Sequence, residues 1–387
     1  MELARRHRGG RPSGMIRMFQ AIQEMRDAGE TVLDLSIGEP DFPTELDIVD
    51  EAARAGKEGF THYPPLQGYL DLRESICAYW ERHHGLRSSP SEVYVSVGAL
   101  HAPWLAWSVL LEPGDEVLLI EPYFTPYALQ VSGCGGVPVA VPTSAAGGFV
   151  PTIDALREAA GPRTRGLVLN FPCNPTGSVP TRERLEEIAT FAEERGLIVL
   201  SDETYESMSF ARPHTCFATL PGMSERTLTV SGVSKSHCMT GWRLGYVFAP
   251  PDVIRTMCVL STHQTYGVNT LAQKAARYAL DAHDAKVAER ADVFARRMEA
   301  VRARLDAMDG LSCPGAEGAF YLFPSVAGTG LSSQDLAWRL FREARVAVVP
   351  GDAFGPSGEG HVRVACTQPM ETLMAAMDAM ERFVASL

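Results

Sequence analysis

Only four of the 387 residues are lysines, at positions 57, 235, 274 and 286. With a formal net charge of −12, the chain lacks the clustered cations that binding a phosphate backbone requires, so a nucleic-acid partner is not expected. No run approaches the roughly 20 apolar residues that cross a bilayer, and no membrane partner is expected. The opening "MELARRHRGGRPSGMIRM" is basic, but it has neither the apolar stretch nor the cleavage site of a secretory leader, so a cytoplasmic location is expected. Eight cysteines, at 77, 134, 173, 216, 238, 258, 313 and 366, are scattered without a C-x-x-C pair. Zinc ribbons and thioredoxin-like sites are therefore unsupported, no metal is expected, and reduced, mostly buried thiols are the default. Repeats and low-complexity blocks are missing too, which excludes a solenoid.

What the chain does have is an ordinary globular composition, 45% hydrophobic and 21% charged, and enough length for a substantial core. Seven short apolar runs recur: "VYVSV" (93–97), "EVLLI" (116–120), "VPVAV" (137–141), "GLVLN" (166–170), "LIVLS" (197–201), "TLTVS" (227–231) and "LGYVF" (244–248). Their length and content predict strands buried on both faces, the signature of a mostly parallel sheet. Between the fourth and fifth runs, Thr181 can cap a helix whose Leu185, Ile188, Ala189 and Ala192 share one face and which Gly196 ends, completing a βαβ unit. After residue 285 the pattern changes to a charged helix, "AERADVFARRMEAVRARLDAM", and to shorter runs at "GAFYLFP" (318–324), "VAVVP" (346–350) and "HVRVA" (361–365). The fold class expected is α/β, a seven-stranded large domain over 46–280 with a smaller α+β domain over 281–387. Residues 1–45 are expected to form an N-terminal arm and part of the small domain, and a long helix should bridge the two parts.

Open α/β sheets bind ligands beyond the carboxyl ends of their strands. Gly98 and Ala99 follow the first run and could offer amides to a phosphate, or form only a tight turn. Asn174, in "NFPCNPTG" (170–177), follows the fourth run and could equally belong to a plain turn. Asp202 closes the fifth run, where an aspartate is as often a helix cap, and Tyr205 in "SDETYE" is close behind, in a position that a core tyrosine could also fill. Asn174 and Asp202 are 28 residues apart, one βαβ step, so both should reach one crevice. Lys235 follows the sixth run inside "SGVSKSHCMTGWRLGY" (231–246), with no Asp, Glu, Lys or Arg within seven positions, and Arg243 comes eight residues later. Surface lysines rarely stand in such company.

A carboxylate, an amide, a phenol, an amine, a guanidinium and a glycine-flanked amide nest suit pyridoxal 5'-phosphate. The lysine forms a Schiff base with its aldehyde, a carboxylate keeps its ring nitrogen protonated, and Arg with backbone amides takes its phosphate. No other common cofactor uses all six parts. A dinucleotide would need G-x-G-x-x-G after the first strand, and "GCGGVP" (133–138) does not supply it.

"SKSHCMTGWRLGY" resembles the lysine signature of the class I/II aminotransferases, the fold-type I pyridoxal phosphate enzymes. "SIGEPDFP" (36–43), "HYPPLQGYLDLRESI" (62–76), "VSVGALHA" (95–102), "NPTG", "SDETYE", "EGAFYLFP" (317–324) and "VVPGDAFGPSGEGHVRVA" (348–365) extend the resemblance at family spacing over nearly the whole chain. The resemblance implies Lys235 as the Schiff-base lysine and Asp202 as partner of the pyridine nitrogen. It implies that Asn174 and Tyr205 bond the ring hydroxyl and that Tyr123, in "EPYFTPY", stacks on the ring. Arg243 and the amides of Gly98 and Ala99 would hold the phosphate, and Tyr63 would reach the phosphate of the other subunit, making the active unit a homodimer. Arg363 would grip the substrate α-carboxylate, with Gly38 closing over it. The activity implied is transfer of an amino group between an amino acid and a 2-oxo acid, with elimination, replacement, cyclisation or oxidation of an amino acid as the alternative on the same scaffold. Cys238, Gly232, Tyr266 and Gly267 depart from the family pattern, and Leu100 stands where some aspartate-selective relatives carry lysine, which disfavours an acidic substrate.

Overall fold

The computed structural model describes residues 14–315 and 317–387; the first part of the expected N-terminal arm, residues 1–13, lies outside them. One sheet is built from β1 (Val93–Val97), β2 (Glu116–Ile120), β3 (Val137–Val141), β4 (Thr164–Asn170), β5 (Ile198–Asp202), β6 (Thr227–Gly232) and β7 (Leu244–Phe248). Their spatial order is β1-β7-β6-β5-β4-β2-β3. Only β7 runs against its neighbours, β1 and β6; the other pairs are parallel. Four of the seven apolar runs coincide with strands, and the others differ by one or two residues at an end.

Period-two alternation puts each strand to work on both faces. Tyr94, Val117, Leu119, Val168, Leu200 and Val247 join one hydrophobic cluster. Their neighbours Leu118, Ile120, Leu167, Leu169 and Val199 join a second on the opposite face, and Val93, Val95, Tyr246 and Phe248 a third. The exception is β3, where Val137 is 41% exposed. β3 is one of the two edge strands, and an edge tolerates Pro138, which lacks a ladder donor. The helix after β4 is Arg182–Glu194; the Thr181 side chain accepts from the Arg184 amide, and Leu185, Ile188, Ala189 and Ala192 are buried as the spacing predicts.

The later strands are shorter than their apolar runs. β8 (Tyr321–Leu322), β9 (Val349–Pro350) and β10 (Val362–Ala365) form an antiparallel sheet ordered β9-β10-β8. "VAVVP" is divided, because Val346–Ala347 pairs instead with Leu33–Asp34 from the start of the chain. A single cluster therefore joins Met18, Ile22 and Leu35 to Phe294, Met298, Phe320 and Val364. Helix Asp284–Asp306 runs between the two parts: Asp284 meets Arg82 at 3.0 Å, Arg297 meets Asp41 at 2.7 Å, and Phe294, Met298, Val301 and Leu305 are buried along one side. Among the described residues no helix is long and apolar enough to cross a membrane.

Candidate active site

β4 and β5 end in register, Asn170 opposite Asp202. Asn170 Nδ2 donates to the Asp202 carbonyl at 3.0 Å, and its Oδ1 accepts from the Asn174 amide at 3.0 Å. This residue, unnoticed in the sequence, ties the turn carrying Asn174 to the end of the next strand. The Asp202 carboxylate is held on both oxygens: Tyr127 Oη donates to Oδ2 at 2.6 Å, and Thr204 donates its hydroxyl to Oδ1 at 2.6 Å. Burial raises the Asp202 pKa, and these hydrogen bonds pull against that. Its neighbour Glu203 points elsewhere, accepting from the Ser201 hydroxyl at 2.7 Å and pairing with His214 at 2.7 Å.

Lys235 stands in the turn between β6 and β7, half-buried, with Nζ donating to the Gly38 carbonyl at 2.7 Å. Its pKa is lowered to about 8; burial is the main cause, Glu39 opposes it, and Arg363 and Arg243 add to it. Gly38 has to be glycine here, because a Cβ would lie 1.8 Å from Tyr321 Oη. That hydroxyl pairs with the Tyr205 hydroxyl at 3.0 Å, and both rings are buried.

Arg363, on β10, is 2% exposed. It donates from Nη1 to Asn174 Oδ1 at 2.8 Å and from Nη2 to the Ser36 carbonyl at 2.6 Å, while Nε is buried without a partner. Its guanidinium lies over the rings of Tyr321 and Phe354. No carboxylate among the described residues pairs with it, and burial lowers its pKa. A buried cation without a counter-ion is costly unless an anion arrives.

Ala99, Leu100 and Arg243 line the same cavity as Arg363. Gly98 (φ +72°) and Arg243 (φ +54°) both have left-handed backbone, and a Cβ on Gly98 would meet Arg243 Nη2 at 2.4 Å. A Cβ on Gly245 would meet the Ala99 nitrogen at 2.2 Å. The Gly98 amide already donates to the Ser96 carbonyl at 2.9 Å. The unpartnered amides among the described residues here are those of Ala99 and Leu100, just ahead of helix His101–Leu110. Sequence reasoning offered Gly98 and Ala99; the turn takes up the Gly98 amide, and that of Ala99 is left free.

Gly38, Ala99, Asn174, Asp202, Tyr205, Lys235, Arg243 and Arg363 all line one cavity of about 340 Å³. Three expected residues do not: Gly98, which precedes Ala99 in the turn, Tyr123 and Tyr63. Tyr123 lies outside it, against Ile120, Pro122 and Phe149, while the next residue, Phe124, lines the cavity. Tyr63 is 82% exposed, its ring 4.9 Å from that of Tyr266. Cys238 is buried behind the lysine turn, its carbonyl accepting from the Thr44 hydroxyl at 2.7 Å. Gly232 faces Gly245 across β6 and β7, and a Cβ there would meet the Leu244 carbonyl at 2.9 Å. Besides Phe124, sequence reasoning missed Tyr127, Ser234 and Tyr321 in the lining; alternation along "GAFYLFP" could have separated Tyr321 from Phe320, but only the packing says which faces inward.

A family model described as aminotransferase class I and II matches residues 30–380. The chain belongs to the class I and II aminotransferases. It is 42% identical over 375 residues to an aspartate aminotransferase of Pyrococcus abyssi, covering 96% of this chain and 95% of that protein. It is 40% identical to aromatic-amino-acid aminotransferase 2 of Thermococcus litoralis, with the same two shares. Among solved structures it is similar to the Thermus thermophilus aspartate aminotransferase with maleate, at a TM-score of 0.94, 36% identity and 99% of each chain. It is likewise similar to the aromatic aminotransferase of Pyrococcus horikoshii OT3, at a TM-score of 0.90, 42% identity, 94% of this chain and 99% of that one. The enzyme is a fold-type I aminotransferase that uses pyridoxal 5'-phosphate to move an amino group between an amino acid and a 2-oxo acid. Its cavity fits that cofactor: an amine of lowered pKa, a buried carboxylate at 9% exposure, and an anion cradle that two side chains on Gly98 and Gly245 would fill.

Proposed function

We propose that Lys235 is the amine that holds the cofactor's aldehyde, that Asp202 faces the ring nitrogen, and that Arg243 with the amides of Ala99 and Leu100 takes the phosphate. Asn174 and Tyr205 are assigned to the ring hydroxyl, Phe124 to the ring face, and Arg363 with Gly38 to the substrate α-carboxylate. Once bound, the cofactor withdraws electrons from the substrate α-carbon, so that its C–H bond can ionise. The protein then has three tasks. Arg363 orients the amino acid by its carboxylate, in a pocket where that charge meets the cation lacking a counter-ion. Asp202, with both oxygens hydrogen-bonded, offers a fixed negative charge rather than a movable one. Lys235 Nζ takes the α-proton once its amine is released, and a pKa lowered to about 8 makes it a usable base near neutrality. The observation that carries this reading is the convergence of Lys235, Asp202 and the unpaired Arg363 on one cavity.

The active unit we propose is a cytoplasmic homodimer in which Tyr63 reaches the phosphate of the second copy. Its exposure beside Tyr266 supports that, and eight free cysteines suit a reducing compartment. The domain division at 46–280 and 281–387 is supported by separate hydrophobic clusters, with the small core taking in Met18, Ile22 and Leu35. The test is amino-group exchange. Holoenzyme given an amino acid and a 2-oxo acid should yield the swapped pair; a change in cofactor absorbance without exchange would count against transamination and for elimination or oxidation.

A further inference from the structure

On the reading above Tyr205 serves the cofactor's ring hydroxyl, yet its own hydroxyl is already engaged, 3.0 Å from that of Tyr321. A phenol has one proton to give and can also accept. The direction of that bond therefore decides whether Tyr205 still has a proton for the cofactor. Tyr321 is on β8, opposite Ala365 of β10. Two residues back on the same face is Arg363, whose guanidinium lies 4.6 Å from the centre of the Tyr321 ring. The tyrosine is clamped at both ends. A Cβ on Gly177 would lie 2.4 Å from the Tyr321 carbonyl oxygen, and one on Gly38 would lie 1.8 Å from its hydroxyl. Tyr205 packs edge-on against it, with ring centres 5.8 Å apart.

Burial raises the pKa of both phenols, and holds that of Tyr205 well above its ordinary value. Arg363 opposes burial at both, while Asp202, at the end of β5, adds to it at Tyr205. Tyr321 is thus the stronger acid and the better donor of the pair. With the Tyr321 proton directed at Tyr205 Oη, the Tyr205 proton is left to point into the cavity that both residues line. A hydroxyl that accepts a hydrogen bond also donates more strongly.

We infer that Tyr321 is a positioning residue for the reaction: it donates to Tyr205 and so turns the Tyr205 hydroxyl toward the ring oxygen of the cofactor. The inference rests on the assignment of Tyr205 proposed above. Its test is the pH at which the visible band of substrate-free holoenzyme changes, in wild type, Tyr205→Phe, Tyr321→Phe and the double variant. A donor to the ring oxygen favours its ionised form, so Tyr205→Phe should raise that pH. Tyr321→Phe keeps the ring beneath Arg363 and should raise it by less, about 0.3–0.5 pH unit, the size of a cooperative contribution. In the Tyr205→Phe background it should add nothing. A fall in Tyr321→Phe would mean that Tyr205 had been donating to Tyr321, and overturns the inference while leaving the Tyr205 assignment intact. No change in Tyr321→Phe, or an equal rise with the Tyr205 hydroxyl already removed, overturns it in the same way. Should Tyr205→Phe itself leave the pH unmoved, the assignment of Tyr205 fails and the inference with it.

Discussion

Asp202, Lys235 and Arg363 reach the cavity from β5, from the turn after β6 and from β10, and each is held there by hydrogen bonds of 2.6–2.8 Å. Met15, Phe19 and Leu100 reach it from a helix flank and a helix start, and their side chains have no nitrogen or oxygen that a hydrogen bond could fix. The two ends of the cavity thus differ in construction. The polar end is fixed by directional bonds and sheet register, so small displacements are costly; the apolar end tolerates changes of shape, because apolar burial is non-directional. On the assignments proposed above, the chemistry common to all amino acids falls to the first.

That contrast breaks most sharply at the lysine. Lys235→Ala should abolish turnover, a loss on the order of 10³-fold or more, and should remove the visible band of the bound cofactor. Next comes Arg363→Ala. Losing the buried cation that receives a carboxylate should cost about 2–5 kcal/mol in kcat/KM for every amino acid alike. Steady-state kinetics across a panel check this, and a loss confined to one substrate would mean that Arg363 reads side chains.

Tyr127→Phe removes one of the donors on Asp202. Leaving a buried acceptor short of a partner costs roughly 1–3 kcal/mol, so cofactor affinity should fall about tenfold, as equilibrium dialysis would measure. The smallest effect expected is in pH dependence. Because the Lys235 pKa is lowered to about 8, its free amine grows as pH rises through that value, and uptake of pyridoxal 5'-phosphate by apoenzyme should accelerate there. Stability of the apoenzyme should move the same way. Between about pH 8 and the ordinary lysine value of 10.5, the unfolded chain binds more protons at this group than the folded one, so this group's contribution to stability rises with pH across that window. Below pH 8 the amine is protonated in both states and its burial cost is felt in full.

How much of this was legible in the sequence follows the same divide. The seven strands were readable because buried strands need unbroken apolar runs, and four coincide residue for residue. That Lys235, Asp202 and Asn174 would meet in one cavity was readable from the isolation of the first and from the place of the other two after such runs. The apolar end was not readable. Tyr123 and Phe124 are adjacent aromatics in an irregular turn before helix Pro126–Gly133, and no periodicity there says which one faces the site. Gly98 looked like an amide donor because the i−2 turn bond that takes its N–H is set by backbone angles. Strand pairing also divided "VAVVP" between two sheets, since the partner of its first half lies more than 300 residues away in sequence.

The most direct test is chemical. Reducing the holoenzyme with borohydride and mapping the labelled peptide should place the pyridoxyl group on Lys235 and nowhere else. A label on Lys57, Lys274 or Lys286, or none on any lysine, would contradict the account at its centre.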